Sequence, residues 1–126
     1  MSYVLLVEPN TLLAKTYTQA MQRAGHEVVH TTSAQAAITA ADTRTPDIVV
    51  LELQLPVHNG VEFLQEFRSY AEWQEVPVVV HTGITPSHLA GDGREALQRD
   101  MGVGVIAYKP HTSLQDLVRL VREQSA

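Results

Sequence analysis

Five short aliphatic runs, each followed by a stretch with helical spacing, constrain this chain more than any other feature. The runs are "YVLLV" (β1, Tyr3–Val7), "EVVHT" (β2, Glu27–Thr31), "DIVVLEL" (β3, Asp47–Leu53), "VPVVVHT" (β4, Val76–Thr82) and "VGVIAY" (β5, Val103–Tyr108). Most are continuous rather than alternating, as strands buried on both faces of a parallel sheet are. The first helix (α1) is predicted between Asn10 as N-cap and Gly25 as stop, with Leu13, Tyr17, Ala20 and Met21 inward. Ser33 caps an Ala-rich helix (α2, "SAQAAITAAD"). The Asn59-Gly60 pair reads as a turn before α3 (Val61–Ala71), which carries Leu64, Phe67 and Ala71 on one face. "REALQRDMG" predicts a short α4, and "SLQDLVRLVREQ" an α5 whose stripe is Leu114, Leu117, Val118 and Val121. Five βα units in a row predict a doubly wound (βα)5 sandwich, an α/β fold with a parallel five-stranded sheet in the order 2-1-3-4-5. In such a sheet the ligand site lies at the carboxyl ends of the strands, where β1 and β3 diverge.

The bulk properties remove several function classes. With 126 residues, the chain fits one domain that buries roughly two thirds of its unfolded surface. The net charge is −5 and the nine Lys and Arg residues are scattered, which argues against a direct nucleic-acid partner. There is no cysteine, hence no disulfide, thiol chemistry or Cys-based zinc site. No apolar run approaches the ~20 residues that span a bilayer, and the N-terminus lacks a basic signal-peptide region. The expectation is a cytoplasmic, single-domain, non-enzymatic protein spanning residues 1–126, without a membrane segment or an output domain.

The carboxyl edge collects a particular set of side chains. Glu8, Pro9 and Asn10 follow β1, Glu52 lies near the end of β3, Thr82 ends β4, and Lys109 and Pro110 follow β5. Each alone has an ordinary explanation: an acid favoured at a helix N-terminus, a hydroxyl satisfying nearby backbone, a solvated lysine. Their convergence from four strands marks the site. Of the six histidines (His26, His30, His58, His81, His88 and His111) only His26 and His30 stand four apart, and they fall at an extended run rather than on a helix face, so no histidine metal site is expected. His81 reads as a buried residue hydrogen-bonded to its neighbours. A flavin-phosphate site would need a Ser/Thr/Gly-rich loop after β1, where "VEPNTLL" instead places an acid that repels phosphate.

Over its whole length the sequence resembles the receiver domain of bacterial response regulators, the CheY-like family. "YVLLVEPN" is similar to the family's β1 and acidic pair, "PDIVVLELQLP" with the following "NG" to its phosphoacceptor strand and loop. "VPVVVHTG" is similar to its hydroxyl-terminated strand and "YKP" to its Lys-Pro. The interval from Thr82 to Lys109 is longer than usual in the family, which places an insertion around Pro86–Arg94. The resemblance implies an acceptor carboxylate at position 52 that takes a phosphoryl group from a histidine kinase. Acids at 8 and 9, with the Gln54 carbonyl, would hold Mg²⁺. Thr82 and Lys109 would contact the phosphoryl oxygens, and an aromatic residue at 106 would turn inward.

Four positions depart from that pattern: Glu52 replaces the acceptor aspartate, Pro9 the second acid, Ile106 the aromatic switch, and Gly83 follows Thr82. Glutamate moves the carboxylate by about one C–C bond, ~1.5 Å, and misplacement on that scale costs roughly 100-fold in rate. Pro9 offers no side-chain oxygen and no N–H. Glu8, Glu52 and Gln54 then leave at most a weak Mg²⁺ site, and no cofactor is expected. A Glu52–Lys109 pair at ~4 Å would attract by about 4 kcal/mol before desolvation. The resemblance therefore implies an atypical pseudo-receiver of two-component signal transduction, a protein-interaction module independent of Asp phosphorylation. The alternative is a phosphorylatable regulator using Glu52 with residual Mg²⁺. The implied partners are a histidine kinase, a regulator or an output protein in trans. A homodimer could use the α4–β5–α5 face, where Arg119, Leu120 and Arg122 are expected to be exposed.

Overall fold

The computed structural model describes residues 2–89 and 91–126. Five parallel strands form one sheet in the order β2-β1-β3-β4-β5, as the sequence implied. The strands run Tyr3–Val7, Glu27–Thr31, Ile48–Leu51, Val78–Thr82 and Val103–Tyr108. The ladder between β1 and β3 pairs Val4 with Ile48 through Val7 with Leu51. Strand alternation divides the core into two layers. Leu5, Val7, Val49, Leu51, Val78 and Val80 face α2 (Ala34–Thr43) and α3 (Gly60–Ser69). Val4, Leu6, Ile48, Val50 and Val79 face α1 (Thr11–Arg23) and α5 (Leu114–Ser125). Both faces are covered, which is why the strands read as unbroken apolar runs.

Capping sets where the helices begin. The Asn10 side chain accepts from Leu13 N–H at 3.0 Å and starts α1. Asn59 and Glu62 form a reciprocal capping box at α3, and Ser113 and Asp116 form another at α5. Two faces differ from expectation. Helix α1 buries Ala14, Tyr17 and Met21, while Leu12 and Leu13 lie outside at 75% and 36% exposure. In α5, Leu117 and Val121 are buried, Leu114 is exposed at its N-terminal end, and Leu120, expected in the open, is half-buried. The rest of each expected stripe is inward, Tyr17 and Met21 in α1 and Leu117 and Val121 in α5; the exceptions, Leu13 and Leu114, lie in the first turn of their helices.

Strands β3 and β4 are shorter than predicted: Asp47, Glu52 and Leu53 lie outside β3, and the Val76-Pro77 pair lies outside β4. Helix α3 starts at Gly60 and ends at Ser69; a single 3₁₀ turn, Ala71–Trp73, then buries Trp73 against Phe67. The predicted uniform α4 is instead one α-turn, Asp92–Glu95, running into a π-turn, Ala96–Asp100, that buries Leu97. The longer Thr82–Lys109 interval also holds a 3₁₀ turn at Pro86–His88, and Ala90 within the expected insertion lies outside the described residues. Among the described residues, no helix is long and apolar enough to cross a membrane.

Candidate functional site

The sheet delivers four polar side chains to one point at its carboxyl edge. Glu8 leaves β1 with its N–H donated to the Thr31 carbonyl at 3.0 Å, and its own carbonyl contacts His30 Nε2 at 2.8 Å. Glu52 extends the β3 ladder by one bond, its N–H reaching the Val7 carbonyl at 3.0 Å. Thr82 is the last residue of β4, and Lys109 opens a 3₁₀ turn directly after β5. Parallel pairing of β1, β3, β4 and β5 therefore fixes the four backbones, and the side chains converge without a mobile loop between them.

The cluster centres on an ammonium held by two carboxylates. Lys109 Nζ lies 2.7 Å from Glu8 Oε1 and 2.9 Å from Glu52 Oε1. Glu52 Oε1 also accepts the Gly83 N–H at 3.1 Å. Its Oε2 accepts the Gln54 N–H at 3.1 Å and the Thr82 hydroxyl. Glu8 Oε2 accepts the Asn10 N–H at 3.1 Å. All four carboxylate oxygens thus have protein donors. Thr82 Oγ1 in turn accepts the Ile84 N–H at 3.1 Å. Glu8 is 2% and Glu52 4% exposed, so the two carboxylates sit in the protein interior, with Lys109 half-buried above them.

Opposing effects set the ionisation of this cluster. Burial pushes the Glu52 carboxyl up, but hydrogen bonds from Lys109, Thr82 and Gln54, with the Lys109 charge, outweigh it and hold the group below the ordinary carboxylate value. Burial likewise works against the Lys109 ammonium, yet hydrogen bonds to Glu52 and Glu8 and their charges raise its pKa. Both groups stay charged at neutral pH. Burial raises the Tyr17 phenol on the far side of β4. His81 points to that side, away from Thr82, and is 3% exposed. The contact it makes is an edge-on packing against Tyr17 at 5.0 Å between ring centroids, and no hydrogen bond is formed to it among the described residues. The expected hydrogen-bonded histidine is corrected to an aromatic-packed one. Its pKa is lowered to about 4 by burial and by the nearby Lys109 charge, which together exceed the opposing pull of Glu52.

The site residues anticipated from sequence divide accordingly. Glu8, Glu52, Thr82 and Lys109 meet. Gln54 takes part through its N–H. Pro9 is half-buried and supplies no donor, and Ile106 is half-buried against the core layer under α3. The sequence reading paired Lys109 with Glu52 alone and did not give Glu8 to it. It also overlooked the Gly83 and Asn10 backbone donors, because N–H groups carry no side-chain signature. A turn residue directly after a strand that ends in Thr was the available hint.

A divalent cation does not fit these residues as they stand. Mg²⁺ seeks near-octahedral oxygens that are free to bind it. Here every oxygen of the two acids already accepts a hydrogen bond, and the Lys109 ammonium lies between them. Among the described residues there is no group of three or more His, Cys, Asp or Glu that could hold a metal ion.

The pattern of the response regulator receiver domain matches residues 4–122, nearly the whole chain. The chain belongs to this family. The receiver is 34% identical over 80 residues to the KDP operon transcriptional regulatory protein KdpE of Escherichia coli K12, a match covering 64% of this chain and 34% of that protein. It is 29% identical over 79 residues to the polar-differentiation response regulator DivK of Brucella ovis, covering 63% and 64% of the two chains. The match thus spans about a third of one curated relative and under two thirds of the other. In structure it superposes on the Vibrio cholerae chemotaxis protein CheY4 with a TM-score of 0.85 at 20% identity, covering 98% of each chain, a likeness of fold.

Proposed function

We propose that this receiver is an atypical one, a pseudo-receiver that acts by binding a protein partner and does not depend on phosphorylation. One observation carries the reading: the Glu52 carboxylate is fully engaged by Lys109, Thr82, Gly83 and Gln54. A carboxylate that attacks phosphorus needs a free oxygen aligned with the leaving group. Engagement of all its lone-pair directions by fixed donors opposes that. The Lys109 ammonium supplies, within the chain, the positive charge that a metal would bring, so no cofactor is required. Pro9, with no side-chain oxygen, supports the same reading. The partner is a kinase, a regulator or an output protein acting in trans.

Intact mass after incubation with acetyl phosphate and Mg²⁺ tests this for the wild type, Glu52→Asp, and Glu52→Asp combined with Pro9→Asp. The expected result is no added phosphoryl group on the wild type and a stable adduct on the double variant. An adduct on the wild type would overturn the proposal in favour of a phospho-switch using Glu52. Mass is the appropriate readout because Trp73 is buried before β4, at the opposite end of the sheet from Glu52.

A further inference from the structure

Helices α1 and α5 lie side by side over one face of the sheet and leave a groove of about 590 Å³ between them. Its floor is apolar: Ala20 and Val118 are half-buried and Leu114 is 41% exposed. Its walls carry Arg23, Arg119 and Arg122, three of the nine basic residues, and no carboxylate lines it among the described residues. Arg119 is tied to Asp116 at 3.1 Å and more loosely to Glu123 at 3.9 Å. Arg23 and Arg122 are exposed and make no salt bridge among the described residues. In a chain of net charge −5, this groove is a local reversal of sign.

We infer that the α1–α5 groove docks an amphipathic helix of a partner protein, one whose apolar stripe is flanked by Asp or Glu. A groove between two helices accepts the ridge of a third, and an apolar floor with a charged rim is how helices are captured in grooves. Arg23 and Arg122 would meet the acidic flank, giving specificity and a faster encounter. Nucleic acid fits less well, because no aromatic side chain lines the groove for base stacking. The inference rests on the reading of the chain as a binding module, but it places the contact away from Glu52 and makes it independent of that residue's chemistry.

The probe is a synthetic peptide of about 16 residues, roughly 24 Å of helix, with Leu at i, i+3, i+4 and i+7 and Glu on both flanks. Its twin carries Lys in place of Glu. Binding to the full chain is followed by amide chemical shifts and by fluorescence anisotropy. The acidic peptide is expected to bind saturably, with shifts centred on Ala20, Arg23, Val118 and Arg122, and to weaken as salt rises. Arg23→Glu with Arg122→Glu should weaken it at least about ten-fold and gain affinity for the Lys twin, with circular dichroism confirming that the variant folds. Equal binding of both peptides, shifts elsewhere or no saturable binding would overturn the proposal. So would saturable binding of an oligouridine or of phosphatidylglycerol vesicles in place of the peptide. A phosphorylated wild-type Glu52 alongside intact peptide binding would sink the proposed function and leave the groove standing. An unphosphorylated Glu52 with a silent peptide would do the reverse.

Discussion

Lys109 neutralises one of the two buried carboxylates it touches and shares itself with the other, so substitutions around it should be unequal. Lys109→Met leaves Glu8 and Glu52 buried without a counter-charge, and the expected loss is about 3–5 kcal/mol in urea unfolding at neutral pH. Glu52→Gln keeps the acceptor that faces Lys109 and Gly83 and turns a donor toward the Gln54 N–H, for a loss of about 1–2 kcal/mol. If the two variants lost the same stability, the cluster would be held by shape rather than charge. The acid limb of stability has a second source in His81. Its pKa falls from 6.5 to about 4 on folding. The unfolded chain therefore takes up a proton that the folded chain refuses, and stability declines as pH drops through that window. Between pH 7 and 5 the loss should be about 2 kcal/mol, and His81→Leu should flatten it. The Glu52 contribution is present above the ordinary carboxylate value of 4.5 and is lost only as pH falls through its lower folded value. The Lys109 contribution holds below 10.5 and disappears as pH rises through its raised folded value. An equal slope in His81→Leu would refute the histidine's part.

The loop between β3 and α3 carries the Gln54 N–H and depends on a close approach. A Cβ on Gly60 would lie 2.7 Å from the Leu53 Cα and 3.0 Å from the Glu52 carbonyl, both backbone atoms that cannot step aside. Gly60→Ala should therefore cost roughly 2 kcal/mol and speed hydrogen exchange at Gln54; an unchanged exchange rate would mean the loop tolerates the push. That approach was invisible in the sequence, where Asn59-Gly60 signalled only a turn. The strands were legible because burial on both faces wrote them as aliphatic runs, and the first two caps because Asn10 and Ser33 each precede an apolar period; the capping boxes at Asn59 and Ser113 emerged only in the structure. The inward faces of α1 and α5 were legible except in the first turns, where Leu13 and Leu114 are apolar yet exposed. The π-turn at Ala96–Asp100, which buries Leu97, has no sequence signature. At the site, side chains were legible and backbone donors were not.

The strands make a rigid frame whose carboxyl edge presents a pocket already occupied by the Lys109 ammonium. A ligand that binds only the folded state raises stability in proportion to its occupancy, and each 1 kcal/mol is worth about 3–5 °C in a domain of this size. The wild-type melting temperature should therefore be unmoved by millimolar Mg²⁺, whereas Pro9→Asp with Glu52→Asp should gain several degrees. A comparable gain in the wild type would show that the ion displaces Lys109. The lysine between two acids also has a temporal consequence. A carboxylate that is modified and then hydrolysed keeps time, because its altered state lasts as long as the bond. One that carries its charge permanently, clasped by Lys109, Thr82 and Gly83, has no such clock. Under the proposed function, the message this domain conveys has no decay and no history: it rises and falls with the number of copies present.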